Sequence, residues 1–398
     1  VVSAAILYSR ASALPVRRTR SYTIQARGGE RKPLVPSARK HGRRKITGVT
    51  GTLHVTAVRE EEMDIARPYL LFLGDVPDAL AAKTALGIVD WRRDWCIGQT
   101  RLPGCKADAG LPEMTPAAAA AAGARTMIVG AVNAGGVLPD HWIASILDAI
   151  EAGLDVATGL HVRLGDIPAI REAAARKGVS LHDVRHSTRR FATGKGTRRP
   201  GLRLLTVGTD CSVGKKYTAL ALEREMRGRG LDADFRATGQ TGVFISGRGV
   251  AIDAVVADFI SGAAEWLTPE AAPTHWDVVE GQGSLFHPSF AGVTLGLMHG
   301  AQPDAFVVCH EPTRSTMRGV AHPLPTIAEV IDLTVACGRL TNPGIRCVGI
   351  AVNTAALGEA DARALLAETG DAHRLPAVDP VRFGVGPIVD RLVAEFPS

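Results

Sequence analysis

The sequence predicts an α/β protein built from two parallel-sheet units in series. A Rossmann-like domain is expected over residues 63–186 and a P-loop NTPase-like domain over 201–398, joined by a linker at 187–200. Three observations carry this expectation. Short apolar runs alternate with helix-length amphipathic stretches, the pattern of βαβ units. A glycine-bearing loop with two adjacent lysines sits between one such strand and its helix, at 208–218. A stretch rich in Gly, Thr, Pro and Arg interrupts the alternation just before that strand.

In chain order, residues 1–62 come first, with 13 basic and 4 acidic residues and a balance of +9. They show no sustained hydrophobic period and read as a disordered basic extension. An Arg-rich, acid-poor leader of this kind suits an organelle transit peptide. We favour the alternative that translation starts at Met63, just ahead of the first strand-like run. The remaining 336 residues carry 33 basic and 36 acidic side chains, a balance of −3, so the net charge of +6 gives no reason to expect a nucleic-acid partner.

From Tyr69 the texture changes. The run Tyr69-Leu70-Leu71-Phe72-Leu73 reads as a buried strand, 78–89 as a helix, and Thr126-Met127-Ile128-Val129 as a second strand. A helix at 141–153, a strand at 155–160, a helix at 167–177 and a strand at 181–185 follow. No G-x-G-x-x-G opens the first helix, so a dinucleotide cofactor is unsupported there. Asn133-Ala134-Gly135-Gly136 and Gly159-Leu160-His161 each follow a strand, where ligands bind in parallel sheets, though plain turns would look the same. The stretch 187–200 reads as a solvated linker. Beyond it, strands are expected at 202–207, 233–235, 277–280, 305–309 and 348–352. Helices are expected near 215–227, 250–266, 327–337, 360–368 and 388–395.

The six cysteines contain no C-x-x-C pair and no zinc-like spacing. Reduced thiols in a cytoplasmic protein are the simplest account. No apolar run approaches the roughly 20 residues of a membrane span.

The most informative stretch is Gly208-Thr209-Asp210-Cys211-Ser212-Val213-Gly214-Lys215-Lys216-Tyr217-Thr218. A strand, a glycine loop and a helix in that order point consecutive backbone N–H groups and a helix dipole at one anion. The usual P-loop reads G-x-x-x-x-G-K-[ST], with the last hydroxyl on Mg²⁺. Here five residues separate Gly208 from Gly214, and Lys216 occupies the hydroxyl position. A lysine cannot ligate magnesium, so metal-assisted triphosphate cleavage is in doubt unless Thr218 or Ser212 substitutes. No metal ligand is assigned.

A second stretch, Trp276-Asp277-Val278-Val279-Glu280-Gly281-Gln282-Gly283-Ser284, ends a strand in a carboxylate at the edge that carries the loop. Glu280 there could be a magnesium ligand, a general base or a clamp for the loop lysine. His287, in the turn that follows, is a second candidate for moving a proton near neutral pH. Arg236, in the stretch that continues to Gln240, and Arg314 follow two other strands, and either could grip a carboxylate through two hydrogen bonds.

The 208–218 loop, the Glu280-Gly281-Gln282-Gly283-Ser284 strand end, His287-Pro288, Gly135-Gly136-Val137-Leu138-Pro139 and Gly384-Val385-Gly386-Pro387 together resemble the D-glutamate N-acetyltransferase family over roughly residues 65–396. The resemblance implies acetyl transfer from acetyl-CoA to the amine of D-glutamate. The loop would then hold CoA phosphates, with Lys216 neutralising their charge. Glu280 or His287 would act as base. The backbone amides of 281–284 would face the oxyanion, and Arg236, Gln240, Gly281, Gln282 and Arg314 would line the acceptor site. Small-molecule substrates, no nucleic acid, no membrane and a homo-oligomer are the expected partners. The loop is also similar to that of dethiobiotin synthetase, which keeps an ATP-dependent ligase open, as is a non-catalytic CoA or nucleotide sensor.

Overall fold

The computed structural model describes residues 65–131 and 138–397. The expectations for 1–62, for Met63 and for Asn133-Ala134-Gly135-Gly136 lie outside these residues.

The first sheet is built from β1 (Tyr69–Gly74), β2 (Cys96–Arg101), β3 (Thr126–Val129), β4 (Asp155–Thr158) and β5 (Leu181–Asp183). All its pairings are parallel and the order is β2-β1-β3-β4-β5. Every residue of β1 is buried, as a central strand covered on both faces requires. The helices are α1 (Lys83–Arg92), α2 (Pro116–Ala121), α3 (Ile143–Glu151) and α4 (Pro168–Lys177). The strand order reverses between β1 and β3, so the crevice outside their carboxyl ends is the ligand position that doubly wound sheets favour.

Two local expectations shift. The helix expected from Asp78 starts only at Lys83, because the Asp78 carboxylate accepts from the Ala81 amide at 2.8 Å and closes a turn instead. Strand β2 escaped the apolar-run criterion because it reads Cys-Ile-Gly-Gln-Thr-Arg. It lies at the edge of the sheet, where polar side chains are tolerated.

The second sheet comprises β6 (Leu202–Gly208), β7 (Ala233–Arg236), β8 (Trp276–Val279), β9 (Ala305–His310), β10 (Arg346–Val352) and β11 (Ala377–Val378). It too is parallel, in the order β11-β10-β9-β6-β8-β7. Its helices are α5 (Lys215–Gly228), α6 (Gln240–Ser246), α7 (Ile260–Leu267), α8 (Ala291–Ala301), α9 (Ile327–Gly338), α10 (Glu359–His373) and α11 (Gly386–Glu395). The single helix expected at 250–266 is instead two short 3₁₀ turns and α7, separated by Val255 and Val256 in extended conformation. Two consecutive β-branched residues favour that backbone.

Side chains alternate across β6. Leu204 joins a core shared with β1, β3 and α5, whereas Leu205 and Val207 face α7 and α8 on the other side. The shared core shows that the two sheets pack as neighbours. Polar ties cross the same seam: Thr84 and Thr241 hydroxyls meet at 3.2 Å, the Tyr217 hydroxyl donates to Asp90, and Arg185 pairs with Asp253.

The stretch 187–200 is exposed along most of its length, as expected of a solvated linker, but it is anchored at its end. Arg199 donates to the carbonyls of Thr268 at 2.9 Å and Gly300 at 2.8 Å, capping the ends of α7 and α8, and Arg198 pairs with Asp304 at 2.8 Å. Gly262 of α7 makes this docking possible, since a Cβ there would lie 1.8 Å from the Ala192 carbonyl oxygen. Gly262→Ala should therefore push the segment off α7 and lower stability by about 1–3 kcal/mol. Chemical denaturation midpoints check this, and an unchanged midpoint would contradict the docking.

Candidate active site

The register of β6 and β8 sets the site. Leu205 lies opposite Val279, so the loop after Gly208 and the carboxylate of Glu280 emerge at the same carboxyl edge.

The loop has the form of an anion cradle. Ser212 and Gly214 adopt positive φ, +55° and +103°, which turns successive amides to one side. Among the described residues, the amides from Asp210 to Tyr217 have no hydrogen-bond acceptor, whereas those of Thr209 and Thr218 are bonded on either side. The outward carbonyls are held by Arg314, whose guanidinium donates to the oxygens of Cys211 and Ser212 at 3.2 Å and to Asp210 Oδ2 at 2.8 Å. Its Nε reaches Glu311 at 2.7 Å. Arg314 is thus a buttress of the loop, not a grip for a substrate carboxylate.

Lys215 folds onto the loop, its Nζ 2.7 Å from the Asp210 carbonyl, and burial lowers its pKa. Lys216 does not follow it. Its ammonium lies 4.7 Å from the Tyr217 ring centroid and against Gly87 of α1, where an added Cβ would come within 2.5 Å of Nζ. Lys216 therefore faces the first sheet's helix, which departs from its expected place among the phosphate-neutralising groups.

The residues offered in place of the missing magnesium hydroxyl are both hydrogen-bonded within the fold. Thr218 donates its hydroxyl to the Gly214 carbonyl at 3.1 Å, and Ser212 Oγ accepts from Arg318 at 2.9 Å. Asp210, Cys211 and His287 do bring potential ligand atoms within 4.8 Å of one another, and Asp210 Oδ1 is buried without a partner. However, Oδ2 of the same carboxylate is taken by Arg314 and the Arg318 amide, and neither imidazole nitrogen has a free lone pair in this arrangement.

That last point removes His287 as a base. The side chain is 1% exposed. Its Nδ1 accepts from the Ser289 amide at 3.1 Å, which leaves Nε2 as the protonated nitrogen donating to the Arg318 carbonyl at 3.1 Å. The ring stacks on Phe290 at 4.5 Å. His287 fixes the segment that carries Arg318.

Arg236 is likewise committed. Its Nε donates to Asp277 Oδ1 at 2.6 Å, back along the neighbouring strand and away from the carboxyl edge. Gly281 serves packing: its amide donates to Thr206 Oγ1 at 2.9 Å, and a Cβ would stand 1.6 Å from the Thr206 carbonyl. The amides of Gln282, Gly283 and Ser284 carry no hydrogen bond among the described residues. Gln282 Nε2 reaches Thr238 Oγ1 at 3.1 Å, and the side chain of Gln240 packs against Gly159 of the first sheet's 159–161 turn.

Glu280 is the group this edge leaves reactive. It is 4% exposed, and Oε2 accepts from the Thr238 and Gly239 amides at 3.0 and 3.1 Å. Oε1 has no hydrogen bond among the described residues. Burial raises the carboxyl to about 7, against the opposing effect of those amides and of Lys216. Burial likewise lowers Lys216 to about 8.

Thr238 and Gly239, Lys83 at the start of α1, and Arg318 were not singled out from the sequence. Lys83 lies more than a hundred residues from the loop it faces, and nothing in its local pattern marks it.

A two-domain architecture, Rossmann-like then P-loop, with an anion loop beside a buried carboxylate, defines the class. Residues 100–187 match the family model of the DUF1611_N Rossmann-like domain, and residues 190–389 match that of the DUF1611_C P-loop domain, both described as domains of unknown function. A crystal structure of a DUF1611 family protein from Anabaena variabilis superimposes with a TM-score of 0.75 at 30% identity, covering 83% of this chain and 100% of that one.

Two curated relatives sharpen this. A D-glutamate N-acetyltransferase from Tritonibacter scottomollicae is 51% identical over 83% of this chain and 99% of its own length. One from a Pseudoalteromonas species is 49% identical over 83% of this chain and 100% of its own. The chain belongs to the D-glutamate N-acetyltransferase family and is an acetyltransferase.

Arg314→Ala frees two loop carbonyls and unpairs Asp210, so the cradle should lose its order. Affinity for inorganic pyrophosphate, titrated by calorimetry, should fall about tenfold or more, in line with the loss of charge-assisted hydrogen bonds. Unaltered affinity would show that the loop is held by other means.

Proposed function

We propose that the chain moves the acetyl group of acetyl-CoA to the amine of D-glutamate, with the 208–218 loop holding CoA phosphates and Glu280 acting as general base. The observation that carries this reading is the buried carboxylate, fixed through one oxygen and open at the other, on the edge that holds the anion loop. Support for the substrate comes from the names of the two relatives, which share about half of the residues over 83% of the chain.

The chemistry needs few groups. The acceptor arrives as an ammonium ion and must lose a proton before it can attack. Glu280 Oε1 takes that proton, and a base with a pKa near 7 is half ionised at neutral pH, so it can both accept and return it. The amine lone pair adds to the thioester carbonyl and forms the C–N bond. The oxyanion so generated needs preorganised donors, for which the free amides of 282–284 are at hand. Collapse breaks the C–S bond, and one of the two protons then on nitrogen leaves with the thiolate to give the free thiol, the other staying in the amide. The balance is one acetyl-CoA and one D-glutamate ammonium converted to N-acetyl-D-glutamate, CoA thiol and one proton.

The proposed transfer needs no metal ion. Six free cysteines accord with a cytoplasmic setting, and no described helix is long and apolar enough to cross a membrane.

Glu280→Gln keeps the shape and removes the base. Thiol release from acetyl-CoA in the presence of D-glutamate should fall by roughly 10²–10⁴. For the unaltered enzyme, kcat/KM should rise with pH through about 7, since the deprotonated carboxylate is the active form. Full turnover of the Gln variant would remove Glu280 from the mechanism. Phosphate release from ATP without thiol release would favour the ligase reading.

A further inference from the structure

Clearing Arg236 and Arg314 from the acceptor site leaves the acceptor's two carboxylates without partners. The seam between the sheets holds cations that have none either. Among the described residues, Lys83 and Lys216 make no ion pair and no side-chain hydrogen bond, although both are partly buried. Two ammonium groups sharing a partly desolvated space repel each other, a cost that an added anion relieves.

Their arrangement is specific. Gly87 stands one turn after Lys83 on the same face of α1, and its missing side chain makes the notch in which the Lys216 ammonium sits. The notch is closed on its other side by Thr241, which meets Thr84 at 3.2 Å. The acid of the same helix, Asp90, accepts from the Tyr217 hydroxyl and, with Glu280, favours charge on Lys216 without forming an ion pair with it. Charge at Lys83 is opposed by Arg318 and Arg185, after burial as the main cause, so the whole mouth is cationic. Arg185 is neutralised by Asp253, and Arg318 leans on Ser212 of the loop, which leaves Lys83 and Lys216 as cations without an ion pair or hydrogen bond, Lys216 resting on the Tyr217 ring.

The groups also fall in an order. Lys216 is the strongest cationic influence on Glu280, with Lys215 behind it. Lys83 is felt at Lys216 and does not figure among the main influences on Glu280. Glu280 Oε2 packs against Gly242, while the adjacent Thr241 lines the Lys216 notch at Gly87, one turn along α1 from Lys83, and along the seam the sequence is base, first ammonium, second ammonium. An acidic amino acid presents its amine, its α-carboxylate and its side-chain carboxylate in the same order.

We propose that Lys83 and Lys216 form a two-carboxylate subsite across the seam, Lys216 taking the α-carboxylate and Lys83 the side-chain carboxylate of an acidic amino acid whose amine meets Glu280. This deepens the functional reading above and rests on it. It makes the Rossmann-like domain the source of acceptor specificity and the P-loop domain the source of the base and the donor site.

The test uses the full chain, its Lys83→Met variant and the conservative Lys83→Arg. With D-glutamate as acceptor, Lys83→Met should raise KM at least tenfold while KM for acetyl-CoA stays within twofold, and Lys83→Arg should recover most of the loss. Preference for D-glutamate over its neutral isostere D-glutamine should collapse in Lys83→Met. An unchanged preference would overturn the subsite even with the enzyme fully active. Calorimetric titration with glutarate judges it without turnover: binding should weaken at least tenfold in Lys83→Met, and equal binding would overturn it. Absence of any acetylation by the unaltered chain would instead refute the functional reading, and the glutarate titration would then decide the subsite alone.

Discussion

The site depends on one pairing, that of β6 with β8. Parallel register puts Leu205 opposite Val279, and the next few residues of each strand leave the sheet together, one as the loop and the other as Glu280. Gly281 permits the close approach, since any side chain there would strike the Thr206 carbonyl, and its amide bonds Thr206 Oγ1. The turn after the third strand of the group, β7, then supplies the Thr238 and Gly239 amides that fix the carboxylate. A proton acceptor and an anion cradle are thus placed within one edge by backbone geometry alone, before any substrate contact.

Burial of the carboxylate produces two opposing effects. Desolvation favours the neutral acid, while two amides and a neighbouring lysine favour the anion. The resulting value near 7 suits a group that must take a proton from an ammonium ion at neutral pH. Lys216 responds in the opposite sense, drawn down by the same dry surroundings. What looks in the sequence like a defect in a P-loop, a lysine in place of a hydroxyl, is in the fold a side chain pointed at the other domain.

The backbone elements of the site were legible and its side-chain partners were not. The 208–218 loop and the strand end at Glu280 could be placed because apolar periodicity and glycine spacing report on backbone path. Arg236, Arg314 and His287 were equally visible as residue types at strand ends. Their employment depends on cross-strand neighbours: Asp277 beside Arg236, the Cys211 and Ser212 carbonyls beneath Arg314, the Ser289 amide and the Arg318 carbonyl flanking His287. Such partners lie up to about a hundred residues away and no local pattern announces them. Lys83 was invisible for the same reason, its significance resting on a glycine one turn later and a lysine in another domain.

The central claim is that Glu280 is a carboxylate whose surroundings hold it near half ionisation at neutral pH. Its side-chain ¹³C resonance, followed from pH 4 to 9 in protein labelled at glutamate and assigned through Glu280→Gln, measures this directly. The account predicts a titration centred near 7. A midpoint below about 5, within the ordinary range of an exposed glutamate, would contradict it.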